Sequence, residues 1–174
     1  MNANANHAPS WEGRTVVVTG AGGFIGSHLA ETLLRRGAKV RALVKYNGAG
    51  AWGHLDGLQP SLLERLDVRL GDVTDPHFVQ RLVDGAETVF HLAALIGIPY
   101  SYVAPQHYVS VNVQGTLNVL EACRLAGTPK LVHTSTSEAY GTARYTPIDE
   151  AHPLQGQSPY AASKIGADKL AESY

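Results

Sequence analysis

A chain of 174 residues with a formal net charge of −1, 44% hydrophobic and 17% charged, has the make-up of one globular domain and excludes collagenous, disordered and strongly basic nucleic-acid-binding classes. No run reaches the ~20 apolar residues of a spanning helix, so no membrane partner is expected and the cytoplasm is the default compartment. Cys123 is the sole cysteine, which excludes an internal disulfide, and the eight histidines lack the spacing of a metal site, so no metal is expected.

Residues 1–12, rich in Asn and Ala without a basic start or an apolar core, read as a flexible leader. Residues 15–19 are a β-branched run that ends in Gly20, and Ala21-Gly22-Gly23-Phe24-Ile25-Gly26 then leads into an apolar stripe of Ile25, Leu29 and Leu33. This order predicts a strand, a tight turn and a helix. Gly20, Gly23 and Gly26 stand three apart, so two can make the turn and admit a pyrophosphate against bare backbone while the third lets helix and strand pack closely. The helix N-terminus would then present free N–H groups to the phosphates, as at a dinucleotide site.

Gly37 stops the helix, and residues 39–44 read as the second strand. An acid commonly follows such a strand to hold a ribose 2′-hydroxyl, but Leu43-Val44-Lys45-Tyr46-Asn47 has none. Lys45 could meet a 2′-phosphate or simply be solvated, so NAD and NADP both stay open. Residues 47–60 form a glycine-rich loop around Trp52, of the kind that orders on binding, and residues 66–70 form the third strand. Asp72 then either caps the helix starting near Pro76 or accepts from an adenine amino group, and Asp75 is the other candidate cap.

Residues 88–92 form a fourth, continuously apolar strand ending in Ala93 and Ala94, whose small side chains leave room for a cofactor. A long helix over 106–126 carries Val109, Val113, Leu117 and Leu120 on one face, and Gly127-Thr128-Pro129 ends it. Residues 130–133 begin the fifth strand, which delivers Thr134 to Glu138 at its carboxyl end. A polar, proline-bearing loop over 141–159 precedes the last helix, which starts at Tyr160. Strands alternating with helices predict an α/β fold with a doubly wound parallel sheet, a Rossmann domain over 13–174. The glycine turn, Asp72, Ala93-Ala94 and Thr136-Ser137-Glu138 each follow a strand's carboxyl end, so all meet in one crevice.

Tyr160 and Lys164 stand four apart, on one face of the last helix, where an ammonium favours an ionised phenol. Together they could supply a base near neutral pH, which tyrosine alone, titrating near ~10, could not. The pair by itself is common on solvated helix faces; its weight comes from the crevice it shares.

Six motifs in this order carry a resemblance: T-G-A-G-G-F-I-G-S-H-L, G-D-V-T-D, H-L-A-A, N-V-Q-G-T-L-N-V-L, S-T-S-E-A-Y-G and S-P-Y-A-A-S-K. Over residues 14–174 the chain resembles the extended short-chain dehydrogenase/reductases that act on nucleotide sugars, the NAD-dependent epimerases and dehydratases. The resemblance implies a nucleotide-sugar substrate and NAD, with NADP as the alternative, held by Gly20, Gly23, Phe24, Ile25, Gly26, Asp72, Val73, Leu92, Ala93 and Ala94 together with Tyr160 and Lys164. Thr-Ser-Glu is similar to the 4,6-dehydratases of the GDP-mannose type, which implies Thr136, Glu138, Tyr160 and Lys164 as catalytic. Residues 93–102 and 152–160 resemble dehydratases of the legionaminic-acid type.

The UDP-glucose dehydratases place an aspartate where Ser137 stands, so proton donation to the leaving hydroxyl is not assigned at that position. UDP-glucuronate decarboxylases also show Thr-Ser-Glu. The implied activity is a 4,6-dehydratase, a lyase, with a 4-epimerase or decarboxylase on the same scaffold as one alternative and a non-catalytic dinucleotide-binding module as another. In the first reading Glu138 is the base for C5, and in the others a solvated loop acid. Family members carry a carboxyl-terminal substrate lobe, which this chain lacks, so it is expected to be truncated. When full length it is expected to form a homodimer through the helices of 106–126 and 160–174.

Overall fold

The computed structural model describes residues 10–174. Among them, five strands, β1 (Thr15–Thr19), β2 (Lys39–Lys45), β3 (Asp67–Gly71), β4 (Thr88–His91) and β5 (Leu131–His133), form one parallel sheet in the order β3-β2-β1-β4-β5. Chain direction across the sheet therefore reverses between β1 and β4, which opens a crevice at their carboxyl ends. Thr19, the last residue of β1, is in register with Leu43 of β2 and His91 of β4, so the glycine turn leaves the sheet at that crevice.

The sheet forms because β1 can be covered on both sides. Val16, Val17 and Val18 are fully buried, and alternation sends them to opposite faces. Val16 and Val18 pack with Leu33 and Leu34 of helix α1 (Phe24–Arg35) and with Val40, Ala42 and Val44 of β2. Val17 packs on the other face with Val79, Leu82 and Val83 of α3 (Pro76–Val83) and with Val119 and Cys123 of the helix that precedes β5. Each buried valine contributes about 1.5–3 kcal/mol, so the central strand anchors both layers. The doubly wound Rossmann sheet expected from the sequence is the observed fold.

The apolar stripes are displaced from their predicted positions. In α1 the buried residues are Gly26, Ser27, Ala30, Leu33 and Leu34, while Ile25 is exposed at the crevice mouth. The helix predicted over 106–126 comprises a first turn, α5 (Pro105–Tyr108), a π-helical stretch Val109–Gln114, and α6 (Gly115–Ala126). The wider winding brings Val111, Asn112 and Thr116 inward and leaves Val109 exposed, so the stripe of Val109, Val113, Leu117 and Leu120 is not the face that meets the sheet.

The loop of 47–60 holds a 3-10 turn, Gly53–Gly57, and its last residue starts the short helix α2 (Pro60–Leu63). A further helix, α4 (Ile98–Val103), follows β4, and α7 (Pro159–Ser173) closes the chain. Residues 1–9 of the predicted leader lie outside the described residues. Trp11, placed in that leader, packs its ring on Phe90 with centroids 5.9 Å apart. No described helix is long and apolar enough to cross a membrane. Among the described residues no group of three or more His, Cys, Asp or Glu is arranged to hold a metal ion.

Gly26 has no room for a side chain: a Cβ there would overlap the Gly20 carbonyl oxygen and lie 2.9 Å from the Ala21 Cα. Gly26→Ala is expected to lower the unfolding free energy by about 1–3 kcal/mol in urea denaturation. Gly57→Ala, whose Cβ would meet nothing within 4 Å, should leave it nearly unchanged.

Candidate active site

The site begins where β1 stops. Gly20 has a left-handed backbone (φ 69°), and a Cβ on it would lie 2.8 Å from the Ala93 nitrogen. Glycine is thus required both by conformation and by the closeness of the β4 loop. The Gly20 carbonyl accepts from the Gly23 N–H at 3.0 Å, which closes the turn and aims the start of α1 into the crevice. Gly23 is the N-cap of α1 and makes no side-chain cap bond, and the first turn carries no acid. A helix end with exposed N–H groups and no resident negative charge suits an anionic phosphate.

The turn opens on a cleft of about 1020 Å³. Every cofactor position predicted from the sequence lines it: Gly20, Gly23, Phe24, Ile25 and Gly26 on the first turn, Asp72 and Val73 after β3, Leu92, Ala93 and Ala94 after β4. Thr136, Glu138, Tyr160 and Lys164 line its other end. Tyr160 is buried, with its ring edge-on to Tyr108 at 6.3 Å, and Lys164 is 5% exposed with Nζ donating to the Thr134 carbonyl at 2.6 Å. Burial lowers the Lys164 pKa, while the Asp168 carboxylate pushes it back up. Ser158 fixes the start of α7 by accepting from the Ala161 N–H at 3.0 Å, with Pro159 at the first helical position.

Thr136 caps the short 3-10 turn Ser137–Ala139, its hydroxyl oxygen accepting from the Glu138 N–H at 3.3 Å. The turn holds Glu138, an exposed residue, in the lining of the cleft. At the opposite end, Asp72 does not cap α3; Asp75 does, accepting from the His77 and Phe78 N–H groups. Asp72 instead accepts from the Thr74 N–H and hydroxyl, both at 2.9 Å, and lies 3.7 Å from Lys45. Burial alone would raise its pKa, but the Thr74 bonds and Lys45 outweigh it and keep the carboxyl below its usual range. Lys45 therefore faces a carboxylate of the chain itself.

Several residues that sequence reasoning missed shape the cleft. The Thr19 hydroxyl accepts from the Leu92 and Ala93 N–H groups at 3.1 Å each and bonds His91 Nδ1 at 2.8 Å. Thr116 donates its hydroxyl proton to the Asn112 carbonyl at 2.6 Å, so toward His91 Nε2, 3.0 Å away, it can only accept. His91 thus carries its proton on Nε2, and Nδ1 accepts from Thr19. Burial, reinforced by His133 and Lys164, pushes its pKa down to about 3. Asn112 clamps Leu95 through both backbone groups and donates to Ser163, which donates to the Tyr160 carbonyl. The sequence signals were His91 directly before Leu-Ala-Ala and Asn112 within N-V-Q-G-T, but only the π-helical stretch brings Asn112 to the β4 loop.

The loop after β2 lies against the glycine turn. His54 N–H donates to the Gly22 carbonyl at 3.0 Å, and a Cβ on Gly22 would lie 2.9 Å from the Trp52 oxygen. Asn47 braces the loop by accepting from the Ala49 and Ala51 N–H groups. A cradle that side chains would fill, an uncapped helix end and a wall of small residues fit a dinucleotide.

The model of the family described as GDP-mannose 4,6 dehydratase matches residues 17–174. A dTDP-glucose 4,6-dehydratase of Streptomyces antibioticus is 37% identical over 166 residues, 91% of this chain and 48% of that protein. Among solved structures, a dTDP-glucose 4,6-dehydratase from Streptomyces venezuelae with NAD bound superposes with a TM-score of 0.82 at 34% identity, covering 92% of this chain and 51% of that one. A UDP-N-acetylglucosamine 4-epimerase from Methanobrevibacter ruminantium, in complex with UDP-N-acetylmuramic acid, gives a TM-score of 0.83 at 30% identity, covering 93% and 50%. The chain spans about half the length of the curated relatives it matches.

Since the unfolded chain binds a proton at His91 that the folded chain refuses, stability present above pH 6.5 is lost as pH falls toward about 3. His91→Gln should lower stability at neutral pH and flatten this dependence by one proton, as read from urea unfolding across that range. An unchanged slope would place the ring outside the buried network.

Proposed function

This chain belongs to the GDP-mannose 4,6-dehydratase family of NAD-dependent epimerases and dehydratases, and on that premise we propose that it supplies the cofactor-binding and proton-transfer half of a nucleotide-sugar 4,6-dehydratase. The observation that carries this reading is Glu138, held by the Thr136 cap in the same cleft as Tyr160 and Lys164. NAD, when bound, supplies the hydride acceptor that oxidises C4 of the sugar and the donor that later reduces C6. The glycine turn and the α1 N-terminus hold its diphosphate, Asp72 lies on the adenosine side, and Ala93 and Ala94 leave space between.

The residues of the chain move the protons. Tyr160, which lines the cleft together with Lys164, acts as the base that takes the proton of the C4 hydroxyl. Thr136, whose oxygen accepts from Glu138 N–H, keeps its own O–H to donate to the same C4 oxygen. A ketone at C4 acidifies C5, and Glu138 takes that proton while the C6 hydroxyl leaves with a proton as water. The C5 proton then returns from Glu138 as C6 is reduced. Ser137 offers no acid for the departing hydroxyl, so its proton comes from solvent, matched by the one Tyr160 releases, and the proton on Glu138 exchanges with solvent before it returns to C5.

A second reading, a 4-epimerase, is favoured by the similarity to the UDP-N-acetylglucosamine 4-epimerase. Such an enzyme needs no C5 base. In the protein, Glu138→Gln is expected to oxidise C4, seen as near-ultraviolet absorbance of reduced cofactor, without forming a 4-keto-6-deoxy product. Tyr160→Phe should lose both, by about 10²–10⁴-fold. In deuterated water the native enzyme should place deuterium at C5. Inversion at C4 with C5 unlabelled would make it an epimerase and Glu138 a loop acid.

A further inference from the structure

The carboxylate of Asp168 belongs to the catalytic helix α7 but lies outside the lining of the cleft, and none of the steps above uses it. It stands one helical turn after Lys164, on the same face of α7. Its Oδ1 accepts from His133 Nε2 at 3.0 Å and its Oδ2 from the Ser135 hydroxyl at 2.5 Å. Between those two residues, the Thr134 carbonyl accepts from Lys164 Nζ at 2.6 Å. Three successive residues at the carboxyl end of β5 are therefore bonded to two successive turns of α7. The Asp168 side chain is 14% exposed and that of His133 10%.

We propose that Asp168 is a positioning residue for Lys164: it locks the end of β5 onto α7 and supplies the fixed negative charge against which the buried ammonium is held. This inference rests on the reading of Lys164 as the partner of Tyr160. An ammonium 5% exposed needs a compensating anion, since burial disfavours its charge. The groups around it are few. On α7 they are Tyr160 and Asp168; His133 comes from β5, His91 from β4, and Glu138 from the turn after β5 in the same cleft. His91 is neutral by its bonds to Thr19 and Thr116, and Glu138 lies on the solvent-exposed rim. Asp168 is the carboxylate that acts on Lys164, raising its pKa against the pull of burial. Its own pKa would be raised by burial, but the bonds from His133 and Ser135 and the charge of Lys164 bring it below its usual value, so it stays ionised.

A tie between helix and strand would need only hydrogen bonds, whereas a counter-charge needs the ionised carboxylate. Asp168→Asn separates the two, because an amide keeps the shape and one acceptor but loses the charge. In the protein, ¹⁵N-lysine NMR reads the Lys164 ammonium, identified by its loss in Lys164→Met. Asp168→Asn is expected to move its titration midpoint to lower pH and to shift the alkaline limb of kcat the same way, with KM little changed. Ser135→Ala should leave the midpoint in place, and Asp168→Glu should restore it toward the native value. A folded Asp168→Asn with an unmoved midpoint would overturn the proposal, as would Ser135→Ala moving it equally. Should Asp168→Asn not fold, Asp168→Ser decides, since it too removes the charge, and a folded variant with an unmoved midpoint overturns the inference. The NMR titration involves no sugar, so a shifted midpoint without a 4-keto-6-deoxy product refutes the dehydratase reading and leaves this one standing.

Discussion

The backbone of Gly26 rests on the carbonyl of Gly20, and no side chain can come between them. That contact draws the first turn of α1 down onto the end of β1, so the exposed N–H groups of the helix face the gap between β1 and β4. It also constrains Gly20, which must be left-handed to let the chain reverse and must lack a Cβ to pass Ala93. A larger residue at either position would push the helix off the strand and close the space for a diphosphate. The packing of three buried valines in β1 would survive such a change better than the cleft would.

From the same strand end a buried chain of hydrogen bonds runs to the other pole of the cleft. Thr19 holds Leu92, Ala93 and His91; His91 reaches Thr116; Asn112 accepts from Thr116 and clamps Leu95; Ser163 links Asn112 to Tyr160. Each member is at most 7% exposed apart from the loop backbone, and the side-chain donors of Thr19, His91, Thr116, Asn112 and Ser163 each have an acceptor. A fully satisfied buried network of this kind is stiff. The turn that fits a diphosphate and the helix that carries the phenol therefore keep a fixed relation. Asp168 extends the same design to β5, whose end it bonds on both sides of Thr134.

What the sequence disclosed was whatever depends on short-range pattern. β1 was read at its observed bounds, and the glycine spacing, the capping aspartate at 75 and the Tyr160/Lys164 pair are all local features. Hydrophobic periodicity misled where a residue faces a cleft, since Ile25 continues the apolar stripe of α1 but sits at the mouth of the crevice. It misled again over 106–126, because a π-helical stretch shifts the phase of everything around it and no residue type announces it. Thr19, His91, Asn112 and Asp168 were illegible for another reason: their roles lie in contacts across 17 or more residues of sequence, which spacing does not encode. Lys45 shows the limit from the opposite side, since the acid 3.7 Å from it belongs to the next strand's loop, a pairing that spacing does not encode.

Binding of the dinucleotide at the glycine turn underlies each of these roles. The decisive measurement is calorimetric titration of the protein with NAD, native and as Gly23→Val. Gly23 has an extended backbone (φ −78°, ψ 170°), and its Cβ would lie 3.3 Å from the Gly20 oxygen, so the variant is expected to fold while its side chain occupies the phosphate end of the cleft. Saturable binding of one NAD per chain to the native protein, abolished in a folded Gly23→Val, is the predicted result. Unchanged affinity in Gly23→Val would contradict the assignment of the cleft.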